Sequence, residues 1–385
     1  MNLLKRNWVR PLMERLEDRT VPTFTSTSLV ADVSGNFTAN IVTNQGVFNI
    51  SYDGATSELS LDDGGAALII PNVMGNVNIT LGTTAAAASS FVTTADFVDT
   101  FAGNFNLTVN RALSAATADT NIAITTSGDA AILGNTRLTT NTPAESQITI
   151  SPANALTLTG AVSVTTNGGV TTGANVRTKT FEMIPTGGAV VVGGGLSVNN
   201  LNDITITGSG ASPITINGST TLRTRPSAYS AGGEINALAL TSDAVTNLNF
   251  ERLQITLANT GGTAINGSTV NLNNATINSL LTAALGINAG ASTTTFNFGN
   301  AGGAVQLNGG LATITGGNGS KTINVEGVSA GLARFTVALG NATANLVNFV
   351  GVANSFAYTT LVGGTGTNTV TGLIPSPFKL IRFSF

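Results

Sequence analysis

The side chains able to do chemistry in this chain are few, and their spacing limits what each can do. Asp96 with Asp99, Asp203, and Glu251 with Arg252 are the carboxylates and the base that a polysaccharide lyase or hydrolase would draw on. Glycosidic hydrolysis needs two carboxyl groups about 5–10 Å apart. These residues form no Asp-x-Asp or Asp-Asp pair on a common strand, so no catalytic residue is assigned and the chain reads as a non-enzyme. Glu58, Asp62 and Asp63 make one acidic cluster. It lacks the regular spacing of an EF-hand loop and reads as a solvated turn, so no metal ligand is assigned either. Arg177 with Lys179, and Arg223 with Arg225, lie two residues apart. Each pair shares one face of a strand and could hold an anionic group, but the favoured reading is an exposed basic face that aids solubility. No cofactor-binding residue is found, because no glycine loop is followed by Gly-Lys-Ser or Gly-Lys-Thr.

Absent residue types exclude more. The chain has no histidine and no cysteine. That removes a Ser-His-Asp triad, a His-Glu-x-x-His zinc site, a thiol nucleophile and a disulfide framework. Net charge is −3 and charged residues make up 9% of the chain. No basic face suited to nucleic acid follows from such a composition. One Trp and three Tyr leave few stacking surfaces for sugars. What remains is a chain of Gly, Ala, Thr, Asn, Val and Ile.

Those residues repeat. Around Ile204–Leu222, Ile-Thr-Ile runs alternate with glycine- and serine-rich gaps, and Asn217-Gly218 precedes a third β run. Related copies begin at Ile122, Ile148, Phe181, Ile255 and Phe296, and in all six a glycine follows the first position by 12–14 residues. Three short strands per 20–30 residues predict a parallel β-helix, in which apolar residues point inward and the Thr and Asn between them face water. The long intervals from Ile204 to Ile255 and from Ile255 to Phe296 predict degenerate rungs near Leu238–Phe250 and Ile277–Leu285. About a dozen rungs at roughly 4.8 Å each would make a rod about 60 Å long. Asn-Gly at 217, 266 and 308 suits turns that need positive φ, and stacked asparagines suit hydrogen-bonded ladders. Before the repeats, Val47–Tyr52 and Ser57–Leu61 alternate around Asp53-Gly54, the signature of a hairpin. The expected fold is therefore all-β: a parallel β-solenoid over residues 76–371 with an antiparallel cap over 24–75. A leader over 1–23 precedes them, and a tail over 372–385 follows.

The leader carries Lys5, Arg6, Arg10, Arg15 and Arg19, five of the 16 basic residues, and lacks an unbroken apolar run. Its segment Leu16-Glu17-Asp18-Arg19-Thr20-Val21-Pro22 resembles the N-terminal Leu-Glu-x-Arg-x-x-Pro motif of large exported proteins of planctomycete bacteria. The resemblance covers about 20 residues and implies export ahead of a repetitive β-rich body. The same segment reads as a short amphipathic helix with Leu12 and Leu16 on one face. Near the other end, Gly363-Gly364-Thr365-Gly366-Thr367-Asn368 resembles a single calcium-binding nonapeptide repeat with Asn368 in place of its Asp, and is expected to be a turn without metal. Ile381, Phe383 and Phe385 alternate as in the final strand of outer-membrane barrels, with no barrel of such strands before them, so a capping strand is expected there. No transmembrane helix is expected, since no run of about 18 apolar residues occurs.

Together these readings lead to an extracellular or cell-surface solenoid of the cell envelope, structural or adhesin-like. Its expected partners are extracellular polysaccharide or neighbouring surface proteins, bound through many weak contacts. A β-helix enzyme acting on polysaccharide, and the passenger of an autotransporter-like secretion system, are the two alternatives.

Overall fold

The computed structural model describes residues 25–83, 90–111, 119–143, 145–167, 179–224, 237–257, 268–286, 294–301, 303–331, 333–351 and 354–385. The leader, with the Leu16–Pro22 motif, lies outside them, as do Arg177, Arg225 and Asn266-Gly267. Among the described residues every regular element is a strand, and there are 32 of them. They form a parallel β-solenoid of three walls.

The alternation predicted from sequence sets the walls. In the first wall, Ile122, Ile148, Phe181, Ile204, Leu238 and Val270 stack in register, and the stack continues through Phe296, Ile323, Val347 and Val370. All but Val370 are fully buried, and Val370 is 1% exposed. Each such side chain contributes about 1.5–3 kcal/mol by leaving water, so every rung is held by the one before it and the one after it. The first wall has twelve strands, from Val47–Asp53 to Thr367–Gly372. The third runs from Phe37–Thr43 to Phe378–Ile381. The second is narrower, often three residues per strand, as in Leu156–Leu158 and Val190–Val192.

The degenerate rungs are where they were expected. Leu238 stacks on Ile204, and the strand Ala275–Leu285 spans the second and third walls. The copy assigned to Ile255, however, is out of phase. Ile255–Leu257 belongs to the third wall, stacked on Leu222–Arg223 and on Ala283–Leu285, while Val270 holds the first-wall position. Long strands that pass through a corner without breaking, such as Leu248–Leu257, conceal the phase from sequence.

The Asn-Gly expectation also needs correction. Neither Gly218 nor Gly309 has positive φ; the left-handed residue beside the latter is Gly310, with φ 84°. The strand Ile214–Thr224 runs straight through Asn217-Gly218. Glycine is needed there because a Cβ on Gly218 would lie 2.5 Å from the Gly195 nitrogen of the previous rung. The same holds along one corner. A Cβ on Gly103 would sit 2.0 Å from the Gly75 oxygen, and one on Gly134 or Gly160 would sit 2.4 Å from the oxygen of the glycine before it.

At the N-terminal end, Thr25–Ala31 lies antiparallel on Phe37–Thr43, and Glu58–Asp62 lies antiparallel on Val47–Asp53. These two strands pair with edges that would otherwise be open to other chains. Phe37–Thr43 and Val47–Asp53 also pair in parallel with Val77–Thr83 and Phe91–Phe101, so the segment supplies both the covering strands and the first rung. The hairpin at Asp53 turns through four residues, with Asp53 opposite Glu58 and Ser57 at φ 56°. Gly54 is again a packing residue: its Cβ would meet the Thr100 oxygen at 2.7 Å. At the other end Phe378–Ile381 adds a further parallel strand to the third wall, and Ser384 bridges to Thr369. Aromatic rings fill the core near both ends, with Tyr52–Phe101 centroids 4.9 Å apart and Phe335–Phe356 stacked at 4.6 Å.

Candidate functional site

The carboxylates singled out from sequence do not converge. Asp96 and Asp99 share one strand, and Asp203 lies four rungs further along the first wall. Glu251 and Arg252 sit at the irregularity where Leu248–Leu257 passes from the second wall to the third. Asp96 accepts hydrogen bonds from Thr125 Oγ1 at 3.2 Å and Ser127 Oγ at 2.6 Å. Asp99 takes φ 63° at the bend between the first and second walls. Asp203 accepts from the Ala237 N–H at 3.2 Å, yet burial still pushes its carboxyl above the usual carboxylate range.

Of the basic pairs, Lys179 and Arg223 lie among the described residues. Lys179 points inward and is 1% exposed; its ammonium donates to the Thr142 carbonyl at 2.8 Å. It is two residues before the buried Phe181, so both side chains share the inner face. An anion could not reach it. Arg223 is exposed on the third wall. The acidic cluster is not wholly solvated: Asp63 is 2% exposed and accepts from Thr43 Oγ1 at 3.0 Å. Asn368, in the glycine-rich segment near the end, is buried and donates to the carbonyls of Gly364 and Gly366 at 3.0 and 3.2 Å. Its amide thus closes a turn. Among the described residues no group of three acidic, His or Cys side chains could hold a metal ion.

Two features of the first wall were not found from the carboxylates. In its N-terminal half, Asp119, Glu145 and Glu182 line a hollow of about 200 Å³ with Asn121, Gln147 and Thr180. In its C-terminal half the outward position after four successive stacked apolar residues is asparagine: Asn271, Asn297, Asn324 and Asn348. Asn297 Nδ2 donates to Asn271 Oδ1 at 2.7 Å, Asn324 to Asn297 at 2.8 Å and Asn348 to Asn324 at 3.4 Å. The Thr371 hydroxyl ends the series by donating to Asn348 Oδ1 at 2.8 Å. Asparagine is a poor strand former; stacking in register turns its amide into a hydrogen-bonded ladder.

The ladder floors a groove of about 520 Å³, lined also by Thr241, Asn300, Glu326 and Val350, within the size range of ligand pockets. One wall is a tight turn in which the main chains of Asn300 and Gly303 exchange hydrogen bonds at 3.0 Å. Gly299 enters it at φ 80°, where a Cβ would be 1.8 Å from the Glu326 oxygen. Chemically the groove offers the ladder amides at one per rung, the further amides of Asn273 and Asn300, one carboxylate and the apolar side chain of Val350. No protein-family model matches the chain, and no curated protein or solved structure is similar to it. The site therefore rests on its own geometry.

Proposed function

We propose that the chain is a non-enzymatic, exported β-solenoid that serves at the cell surface as a structural or adhesive module. It makes many weak contacts with glycans or neighbouring chains. The observation that carries this reading is the outward face of the first wall, where amides repeat at the rung spacing over a groove, while Asp96, Asp99, Asp203 and Glu251 are spread over different rungs and walls. Repetition at a fixed spacing suits a ligand that is itself repetitive, because each further contact is made at high effective concentration. Export is supported by the resemblance of Leu16–Pro22 to the leader motif of exported proteins. Surface proteolysis of intact cells tests the location: cleavage by an added, impermeant protease is expected, and full protection in unbroken cells would refute it.

A polysaccharide-cleaving enzyme is the second reading, favoured by the acidic hollow at Asp119, Glu145 and Glu182. It requires release of reducing ends from a glycan by the purified chain, and loss of that release in Glu182→Gln.

A further inference from the structure

The surface-contact reading does not say where contact is made or with what chemistry, and the groove on the first wall specifies both. Its floor runs along the rod, since Asn271, Asn297 and Asn324 sit on successive rungs in register. Three amides at a spacing of about 4.8 Å span roughly 10 Å, the length of a short oligosaccharide. Backbone groups in the wall are already spent on the neighbouring rungs, so an occupant must bond to side chains and cannot add as a strand.

The ladder is directional. Each amide N–H₂ donates toward the N-terminal side, and Asn271 comes first, because the residue stacked before it is Ala239. Among the described residues the Asn271 N–H₂ has no protein acceptor. Chains of hydrogen bonds polarise one another, which makes this unpaired amide the strongest donor of the series. Thr241, in register with Asn273, also lines the groove, its hydroxyl 3.3 Å from that of Thr207. At the other side Glu326 and Val350 are register partners on adjacent strands. The carboxylate accepts hydroxyl hydrogens, and the valine offers an apolar patch to C–H groups. No Lys or Arg lines the groove, so a negatively charged sugar would meet Glu326 without compensation. A divalent cation would find a single carboxylate, and the oxygens of Asn271, Asn297 and Asn324 already accept within the ladder.

We infer that this groove, floored by Asn271, Asn297 and Asn324 and flanked by Glu326 and Val350, binds an uncharged linear oligosaccharide lying along the rod axis. The inference rests on the surface-contact reading and narrows it to one face and one ligand class. The test uses the full chain, affinity electrophoresis and titration calorimetry. The neutral probes are cellohexaose, xylohexaose and mannohexaose, with oligogalacturonate as the anionic comparator. At least one neutral probe is expected to bind, with Asn297→Leu weakening it about tenfold or more. Asn106→Leu, on the third wall, should leave it unchanged. Val350→Glu reports the same loss without cutting the ladder, in case Asn297→Leu disturbs folding. Oligogalacturonate is expected to bind about tenfold more weakly than the best neutral probe, and Glu326→Gln to narrow that gap. Binding that survives both Asn297→Leu and Val350→Glu would overturn the groove and leave the surface reading standing. Absence of binding by all three neutral probes, or a preference for the anion, would overturn the inference as well, while exposure to protease on cells judges the wider reading separately.

Discussion

Asparagine stacks rung over rung at several places in this molecule, and two of the stacks bond to different partners. At the corner before the third wall, Asn36, Asn76, Asn104 and Asn135 follow Gly35, Gly75, Gly103 and Gly134. Each of these side-chain oxygens accepts from the main-chain N–H of the next rung: from Asn76 at 2.7 Å, Asn104 at 2.9 Å, Asn135 at 2.6 Å and Ala161 at 2.8 Å. These bonds satisfy backbone that turns a corner and would otherwise lack a strand partner. On the first wall, the oxygens of Asn271, Asn297, Asn324 and Asn348 accept from a side chain, while the backbone is already paired within the sheet. One residue type therefore holds rungs together in one place and presents amide groups to a groove in the other. Bonding to the backbone marks a structural role, and bonding only among side chains leaves room for recognition.

The sharpest way to break the corner is through its glycines. Gly103→Val would drive a side chain into the Gly75 carbonyl, and a loss of about 4 kcal/mol or more in local stability is expected. Hydrogen exchange at Asn76, Asn104 and Asn135 reads it. Exchange suits a stacked repeat better than one global midpoint, because each rung contacts only its neighbours. Asn104→Ala comes next. It removes the bond to the Asn135 N–H and the Nδ2 bond to Asn76 at 2.6 Å, and about 2–3 kcal/mol should be lost locally. The corresponding change on the wall, Asn297→Ala, orphans no backbone group and should cost less than about 1 kcal/mol by the same measurement. Equal losses at the two sites would erase the distinction.

Between these in size lies a test of the inner column. Lys321 is 1% exposed and stacks between Thr294 and Asn345, and its ammonium donates to the carbonyls of Asn318 and Gly319 at 3.2 and 3.0 Å. Burial lowers its pKa from 10.5 to about 8. The unfolded chain therefore holds this proton more tightly than the folded one, and stability rises as pH increases from about 8 to 10.5. The gain is about 1–3 kcal/mol, the lower figure applying if water screens the amine. Lys321→Met should flatten that rise and raise the thermal midpoint at pH 7. A rise that persists in Lys321→Met would assign it to another group.

Much of this was legible in the chain. The inward positions from Ile122 to Phe296 follow from alternation, and the cap hairpin from its turn residues. The buried lysines obey the same parity: Lys179 is two residues before Phe181, and Lys321 two before Ile323. An exposed face for Lys179 is overturned because it shares the inner face with Phe181, while Arg177 lies outside the described residues. The Gly-Asn corner was hidden because Asn-Gly pairs were read as turns, while the stack uses the reverse order, Gly-Asn, as at Gly75-Asn76 and Gly103-Asn104. The wall ladder became visible only with the register. Val270, Phe296, Ile323 and Val347 each precede a ladder asparagine, but Val270 had been placed out of phase by the long strand through Ile255.

The division of labour between the two stacks is tested most directly by titrating one neutral hexasaccharide into Asn104→Ala and Asn297→Ala under conditions where hydrogen exchange shows both to be folded. The account predicts that Asn104→Ala binds like the parent chain, whereas Asn297→Ala loses about tenfold in affinity. Weakened binding in Asn104→Ala with full binding in Asn297→Ala would contradict it.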